Sequence, residues 1–331
     1  MHAIRTVPSI LDLPSEPNPF PRPHRRQMGM ALSLTALLLA GCGTPFATRD
    51  HLTLSTARPT HKLIVDNSVG RVTVNAEHSA TEVRAEIIKV GKGCSQHEAD
   101  QAVDEIEVTL AAATDDDGVV RAEAKHPHGN GIRNYEVEWK ITAPPDVDID
   151  VTNDVGDLRI TGFQKNISLT NDVGDAFVIS DPADEASSGS VRVTTGVGDI
   201  HARRACTGFT ARTGVGDIIA MAGGPVDVQT DVGDVSLKLL PTTAEKVRVS
   251  TDVGDVHLYL APAQEGSILA DCDVGDIRLS IDDARINQVR ERRRHCSAQL
   301  GESQTPAIDL TSDVGDIHIG SFDPGATATK K

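Results

Sequence analysis

The chain has 331 residues, a formal charge of −16 and a 39% apolar fraction, which allows one large domain or two smaller ones. Its acidity argues against nucleic acid or anionic lipid as the main partner. Aromatic residues make up 3% of the chain, with Trp139 the one tryptophan, so stacking platforms for sugars or bases are not expected.

The amino terminus opens on a Pro-rich stretch, "PSEPNPFPRPHRR", which reads as a long leader. Residues 28–41, "MGMALSLTALLLAG", follow the basic pair Arg25-Arg26 and form an apolar core of signal-peptide length, too short to span a bilayer. Arg25-Arg26 within a twin-arginine signal is the weaker alternative, because its surroundings fit poorly. Leu39-Ala40-Gly41-Cys42 resembles the lipobox of bacterial lipoproteins. That resemblance implies cleavage after residue 41, diacylation of Cys42 and a membrane anchor of two chains, where one chain binds only marginally. Gly43 in place of aspartate implies the outer membrane if the cell is Gram-negative. Removing residues 1–41 takes away four arginines, Asp12 and Glu16, so the charge of −16 becomes −18.

Residues 42–60 read as a linker and residues 61–145 as an α+β cap. Within the cap, Ser95 and Glu98 resemble a capping box that opens a helix through Ala99, Ala102 and Val103. Asp115-Asp116-Asp117-Gly118 reads as a turn between strands.

From residue 146 to 320 one word recurs. Val-Gly-Asp places its glycine at 156, 174, 198, 216, 233, 254, 275 and 315, and "NSVGRVTV" around Gly70 is a worn copy. Apolar residues alternate before the corner (Val226, Val228, Thr230, Val232) and after it (Val235, Leu237, Leu239). Period-2 alternation specifies half-buried strands. The change of parity predicts a turn at Gly233-Asp234 that keeps both flanking valines inside, with glycine supplying the backbone freedom.

Such corners fit either antiparallel hairpins or the coils of a parallel β-solenoid. Glycine spacings of 18, 24, 18, 17, 21, 21 and 40 residues favour a coil of about 20. Agreement at the inward polar position favours it further. Two residues before each valine stand Asn153, Asn171, Thr195, Thr213, Thr230, Thr251, Cys272 and Ser312, one column when coils stack. Cys272 in that column reads as a buried structural thiol. The fold class expected is therefore mainly β, a parallel β-solenoid of about eight Val-Gly-Asp coils.

"YEVEWKITAPPDVDIDVTNDVGDLRITG" and "GCSQHEADQAVDEIEVTLAAATDDDGVV" resemble the entry and amino-terminal segments of the bacterial putative-adhesin family, whose function is unknown. The resemblance covers about residues 61–320. It implies a β-solenoid envelope protein and carries over no catalytic residue.

Between the last two corners lies "DDARINQVRERRRHCSAQLG". Ile286, Val289, Cys296 and Leu300 at helical spacing predict a helical insertion over 282–301, starting near Asp283 and stopping at Gly301. Residues 321–331 read as a flexible tail. With Cys42 assigned to lipid, Cys94, Cys206, Cys272 and Cys296 permit two disulfides, though their spacing matches no framework.

The candidate site is the corner carboxylate column: Asp157, Asp175, Asp199, Asp217, Asp234, Asp255, Asp276 and Asp316. A second outward column holds Asp154, Asp172, Asp231, Asp252, Asp273 and Asp313, with Gly196 and Gly214 in its gaps. At the strand spacing of about 4.8 Å, neighbouring charges repel by about 0.9 kcal/mol in water, so something must offset them. Hydrogen bonds from each aspartate's own turn amides are the expected offset, and weak calcium binding is the alternative; no other cofactor is expected. His201, His257 and His318 face outward on coils taken as non-adjacent, with Ile219, Ser236 and Arg278 between them, and read as surface residues rather than a zinc site. The basic run Arg290, Arg292, Arg293, Arg294 and His295 either meets anionic lipid or pairs with the protein's own aspartates.

Serine nucleophile elbows, phosphate loops and paired metal motifs are absent from the sequence. The reading is a non-catalytic, lipid-anchored cell-envelope protein that binds an envelope protein or polysaccharide. The alternative is a carbohydrate-active β-solenoid enzyme acting on envelope polysaccharide.

Overall fold

The computed structural model describes residues 46–56, 60–113, 118–125, 134–179, 189–203, 206–241, 246–281 and 286–322. All belong to the unit Gly43–Lys331; the unit Met1–Cys42, on which the expected signal and lipidation site fall, lies outside them, as do residues 115–117 and 323–331. The described part is mainly β, one 13-stranded and one 12-stranded sheet with a single helix.

Each corner links the two sheets. The strand before the glycine lies in the 13-stranded sheet and the strand after it in the 12-stranded sheet, as with Val226–Val232 and Val235–Leu239 around Gly233. Successive layers pair in parallel and in register: Val226 faces Val247, Thr230 faces Thr251, and Val235 faces Val256. The alternating residues turn inward between the sheets, where Val228, Val249, Leu237 and Leu258 are 0–1% exposed. Both sheets stack their layers in one order, here named by glycine: 70, 156, 174, 198, 216, 233, 254, 315, 275. The worn copy at Gly70 is thus a full layer.

The last two layers are not in sequence order. Ala307–Val314 lies between Lys246–Val253 and Gly266–Val274, and Ile317–Ser321 between Val256–Leu260 and Ile277–Ser280. The chain lays down the Gly275 layer, leaves a slot, and returns to fill it. That detour accounts for the 40-residue spacing.

Three expectations need correction. The predicted helix over 282–301 is a β-hairpin in its described part, Ile286–Arg292 antiparallel to His295–Leu300; the expected start at Asp283 lies outside the described residues. His295–Leu300 also pairs antiparallel with Gly266–Val274. That strand ends the stack and presents a row of backbone donors and acceptors, which another strand can satisfy and a helix cannot. The period-2 burial of Cys296, Ala298 and Leu300 was the competing signal.

Much of the expected linker is also strand: Phe46–Thr56 pairs antiparallel with Val83–Gly93, and Leu52 and Leu54 pack on the core. The valines flanking a corner do not both stay inside. Val235 is fully buried, but Val232 is 46% exposed, because Asp231 and Val232 both point outward and break the alternation before the turn. The two disulfides that Cys94, Cys206, Cys272 and Cys296 would permit are not formed, since Cys206, Cys272 and Cys296 are buried and not joined in a disulfide.

The one helix, Gln96–Asp104, begins as expected. Ser95 accepts from the Glu98 amide at 3.2 Å, the Glu98 carboxylate accepts from the Cys94 amide at 2.8 Å, and Ala99, Ala102 and Val103 face the interior.

Candidate functional site

A corner breaks the sheet ladder at two backbone groups. Around Gly233 the flanking ladder bonds continue, with the Gly233 amide donating to the Val253 carbonyl and the Val235 amide to the Asp255 carbonyl, both at 2.9 Å. The glycine carbonyl and the aspartate amide of the corner have no such strand partner. Each would be an orphaned polar group costing about 1–3 kcal/mol. Two side-chain columns supply the partners.

The first is the inward column. Thr251 donates its hydroxyl to the Gly233 carbonyl of the preceding layer at 3.0 Å, and Ser312 does the same to Gly254 at 3.0 Å. Thr230, Thr213 and Thr195 repeat the contact at 3.1, 3.1 and 3.3 Å. At the other end asparagine takes over. Asn171 donates to the Gly156 carbonyl at 3.0 Å, Asn153 to the Asn171 side-chain oxygen at 3.1 Å, and Asn67 to that of Asn153 at 2.8 Å. Trp139 closes the row, its indole N–H donating to Asn67 at 3.2 Å. Sequence reading missed Asn67, although it stands in the same slot before Gly70. Cys272 occupies the slot in the terminal layer, where burial first of all raises its thiol pKa and keeps it protonated.

The second is the corner carboxylate column. The Asp255 amide donates to Asp234 Oδ1 at 2.8 Å, the Asp234 amide to Asp217 at 2.8 Å and the Asp217 amide to Asp199 at 2.8 Å. The ladder continues from Asp199 to Asp175 and from Asp175 to Asp157 at 2.9 and 3.3 Å. In the other direction Asp316 donates to Asp255 at 2.7 Å and Asp276 to Asp316 at 2.9 Å. Seven of the eight corner carboxylates thus hold the amide of the next layer. The expected offset by amides is present, but its source differs: the donor lies one layer on, not in the aspartate's own turn. The eighth, Asp276, has no further layer, and Arg293 of the hairpin takes its carboxylate at 2.6 Å. At the opposite end Arg71 stands where other layers carry aspartate, with its guanidinium 3.7 Å from Asp157.

Arg293 lowers the Asp276 pKa, chiefly through that hydrogen bond. Asp234 is exposed as a residue, yet desolvation of its carboxyl raises its pKa, the Asp255 amide opposes this, and the charges of Asp217 and Asp255 add to it. Asp234→Asn is therefore expected to change stability at neutral pH by less than about 1 kcal/mol, since an amide oxygen accepts the same bond without the charge. Among the described residues no group of three or more His, Cys, Asp or Glu side chains is placed to hold a metal ion. Calcium at millimolar level is expected to move the melting temperature only slightly, where a cation held 100-fold above its Kd would add about 2.7 kcal/mol. Calorimetry with calcium and with chelator checks both expectations; a large chelator-sensitive shift would make the column a cation site.

The histidines fall differently from the expectation. His257 and His318 sit in register on adjacent strands, because the Gly315 layer is threaded next to the Gly254 layer. Their rings are 6.1 Å apart, each beside Tyr259. His201 lies apart and stacks on Phe177 at 5.0 Å. Burial, and then the charges of His257 and Arg278, lower the His318 pKa below 6.5. In that window the unfolded chain binds a proton that the folded one refuses, so stability falls as pH drops from 6.5 toward the folded pKa. His318→Gln is expected to flatten that part of the pH–stability curve, and urea denaturation from pH 7 to 5 checks it. Of the basic run, Arg293 pairs with Asp276 and His295 with Asp271 at 2.5 Å, so two of its members pair with the chain's own aspartates.

No family model and no curated protein matches the chain. Among solved structures it is similar to a putative adhesin from Bacteroides fragilis, 13% identical over 82% of this chain and 97% of that one, with a TM-score of 0.39. A putative adhesin from Parabacteroides distasonis is 6% identical over 82% and 97%, with a TM-score of 0.40. A putative lipid binding protein from the same organism is 8% identical over 82% and 97%, with a TM-score of 0.31. Likenesses of this size speak to neither ligand nor activity.

Proposed function

We propose that the chain is a lipid-anchored, non-catalytic cell-envelope protein whose two sheets are the walls of a β-solenoid that presents a surface for adhesion or partner binding. Eight coils would carry Val-Gly-Asp corners, with the Gly70 layer as a ninth. The observation that carries this reading is the commitment of the corner carboxylates. A catalytic carboxylate must be free to exchange a proton or meet a substrate, whereas seven of these eight hold the next layer's amide. What repeats in every layer is scaffold, and the wall around it is open for binding. The segments that resemble the bacterial adhesin-like family agree with this reading.

The test sets a turnover screen on envelope and capsular polysaccharides against pull-down of surface partners with the purified protein. Capture without turnover is expected; turnover of any polysaccharide would replace the proposal with a carbohydrate-active enzyme. Anchoring, with the outer membrane as its expected site in a Gram-negative cell, depends in this proposal on Cys42. Cys42→Ser is expected to abolish palmitate labelling and release the chain from membranes, and continued labelling of that variant would refute the anchor.

A further inference from the structure

The residue before each corner glycine is valine in all nine layers, and it is not buried. From Val155 to Val274 these valines are 45–55% exposed, and they account for eight of the eleven large hydrophobic residues exposed among those described. Because the layers pair in register, with Val232 facing Val253 and Val253 facing Val314, the exposed side chains form one continuous ridge. Seven steps of about 4.8 Å make it about 34 Å long.

The corner needs no valine there for its own sake. Its glycine supplies the turn, and its inward hydroxyl and its aspartate satisfy the open backbone groups. A serine or threonine would serve an exposed strand end without showing apolar surface to water. A contiguous apolar patch rimmed by polar groups marks an interaction surface.

Carboxylates rim this ridge on both sides. One residue before each valine stand the exposed Asp231, Asp252, Asp313 and Asp273 in four successive layers, and two residues after each valine stands the corner aspartate. The two rows are single-signed along the ridge. A second copy would bring carboxylate against carboxylate, and an anionic bilayer or acidic glycan would be repelled in the same way. A partner with an apolar stripe between rows of lysine or arginine is complementary in both respects. A helix of about 20 residues spans about 30 Å, nearly the length of the ridge.

We propose that the valine ridge is the docking surface for a basic amphipathic helical segment of a partner protein. This deepens the binding-protein reading and rests on it. Valines supply the apolar contact, and the flanking aspartates choose a cationic partner and speed its encounter.

The probe is a synthetic 20-residue helical peptide with leucine along one stripe and lysine on both sides, compared with a scramble of the same composition. Titration calorimetry at low and physiological salt is run on the purified protein and on Val232→Ser/Val253→Ser/Val314→Ser, whose three exposed sites lie in adjacent layers. Denaturation midpoints verify that the variant stays folded. The amphipathic peptide is expected to bind, the scramble to bind at least about tenfold more weakly, and the serine variant to lose about tenfold or more. Asp231→Asn/Asp252→Asn/Asp313→Asn is expected to weaken binding and its salt dependence together.

Equal binding of peptide and scramble, or unchanged binding by the serine variant, overturns the proposal. So does valine-dependent dimerisation in sedimentation, or valine-dependent flotation with anionic vesicles, because each names a different occupant. If envelope partners captured by the wild type are captured equally by the serine variant, the ridge fails while the binding-protein reading stands. If neither captures any, the binding-protein reading fails as well.

Discussion

Gly233→Val is expected to lower stability by about 3 kcal/mol or more and to shift the denaturation midpoint accordingly. Gly233 has φ of 151°, in the range that favours glycine, and such backbone strain costs a side chain about 1–3 kcal/mol. The neighbouring layer adds a harder limit. A Cβ built on Gly233 would lie 2.0 Å from the Gly216 carbonyl oxygen and 2.6 Å from its carbon. That oxygen is fixed, because it accepts the Thr230 hydroxyl at 3.1 Å. Relief therefore requires two layers to part, which weakens the Thr230 contact and the Asp234-to-Asp217 bond together. Gly233→Ala meets the same oxygen and should also be costly, which separates close approach from β-branching. An unchanged midpoint in either variant would refute the corner geometry.

Truncation after Gly301 is expected to unfold the far end of the stack rather than trim a tail. It removes Ala307–Val314 and Ile317–Ser321, which lie between the Gly254 and Gly275 layers in both sheets. The strands Gly266–Val274 and Ile277–Ser280 then have no parallel neighbour, and Ile268, Ala270 and Ile277 lose the core made by Ile308, Leu310 and Ile317. The hairpin that pairs with Gly266–Val274 cannot replace it, because it lies on the opposite side. Hydrogen exchange should show residues 266–280 and 286–300 losing protection while residues 167–179, 191–203 and 209–215 keep theirs. Full protection of residues 266–280 in the truncated chain would contradict the threaded order.

Much of the layer geometry was legible in the sequence because it is local. The alternation around Gly233 gives the strands, and the recurring Thr, Ser or Asn before each valine gives the inward column. The partners across layers were less legible. Nothing within "TDVGD" says that the carboxylate reaches the next layer's amide, since that choice depends on the spacing of coils rather than the shape of one turn. The threading of Gly315 between Gly254 and Gly275 was hidden for a related reason. Repeat periods report how long a coil is, not which coil it lies against, and so His257 and His318 were placed apart. The hairpin misread as a helix shows the limit of periodicity in a short segment. Ile286 and Val289 fit one spacing, Cys296, Ala298 and Leu300 the other, and only the open edge of the Gly275 layer decides between them. The valine ridge escaped because alternation predicts inward for Val232, and the turn overrides alternation one residue early.

The aspartate ladder and the threonine part of the inward column run the same way, while Asn67 and Asn153 donate in the opposite direction. Each threonine and each aspartate amide donates to the layer before it, never to the layer after. A stack with that polarity has unlike ends, one offering donors and the other acceptors, and unlike ends of identical molecules can join head to tail without limit. In the 13-stranded sheet further strands flank both ends, His295–Leu300 beside the Gly275 layer and Val119–Lys125 beside the Gly70 layer. At the acceptor end Arg293 holds the Asp276 carboxylate, and past Arg71 the strand Asn134–Ala143 pairs with Val72–Ala76. A word that could be repeated indefinitely is thereby bounded by strands that do not carry it.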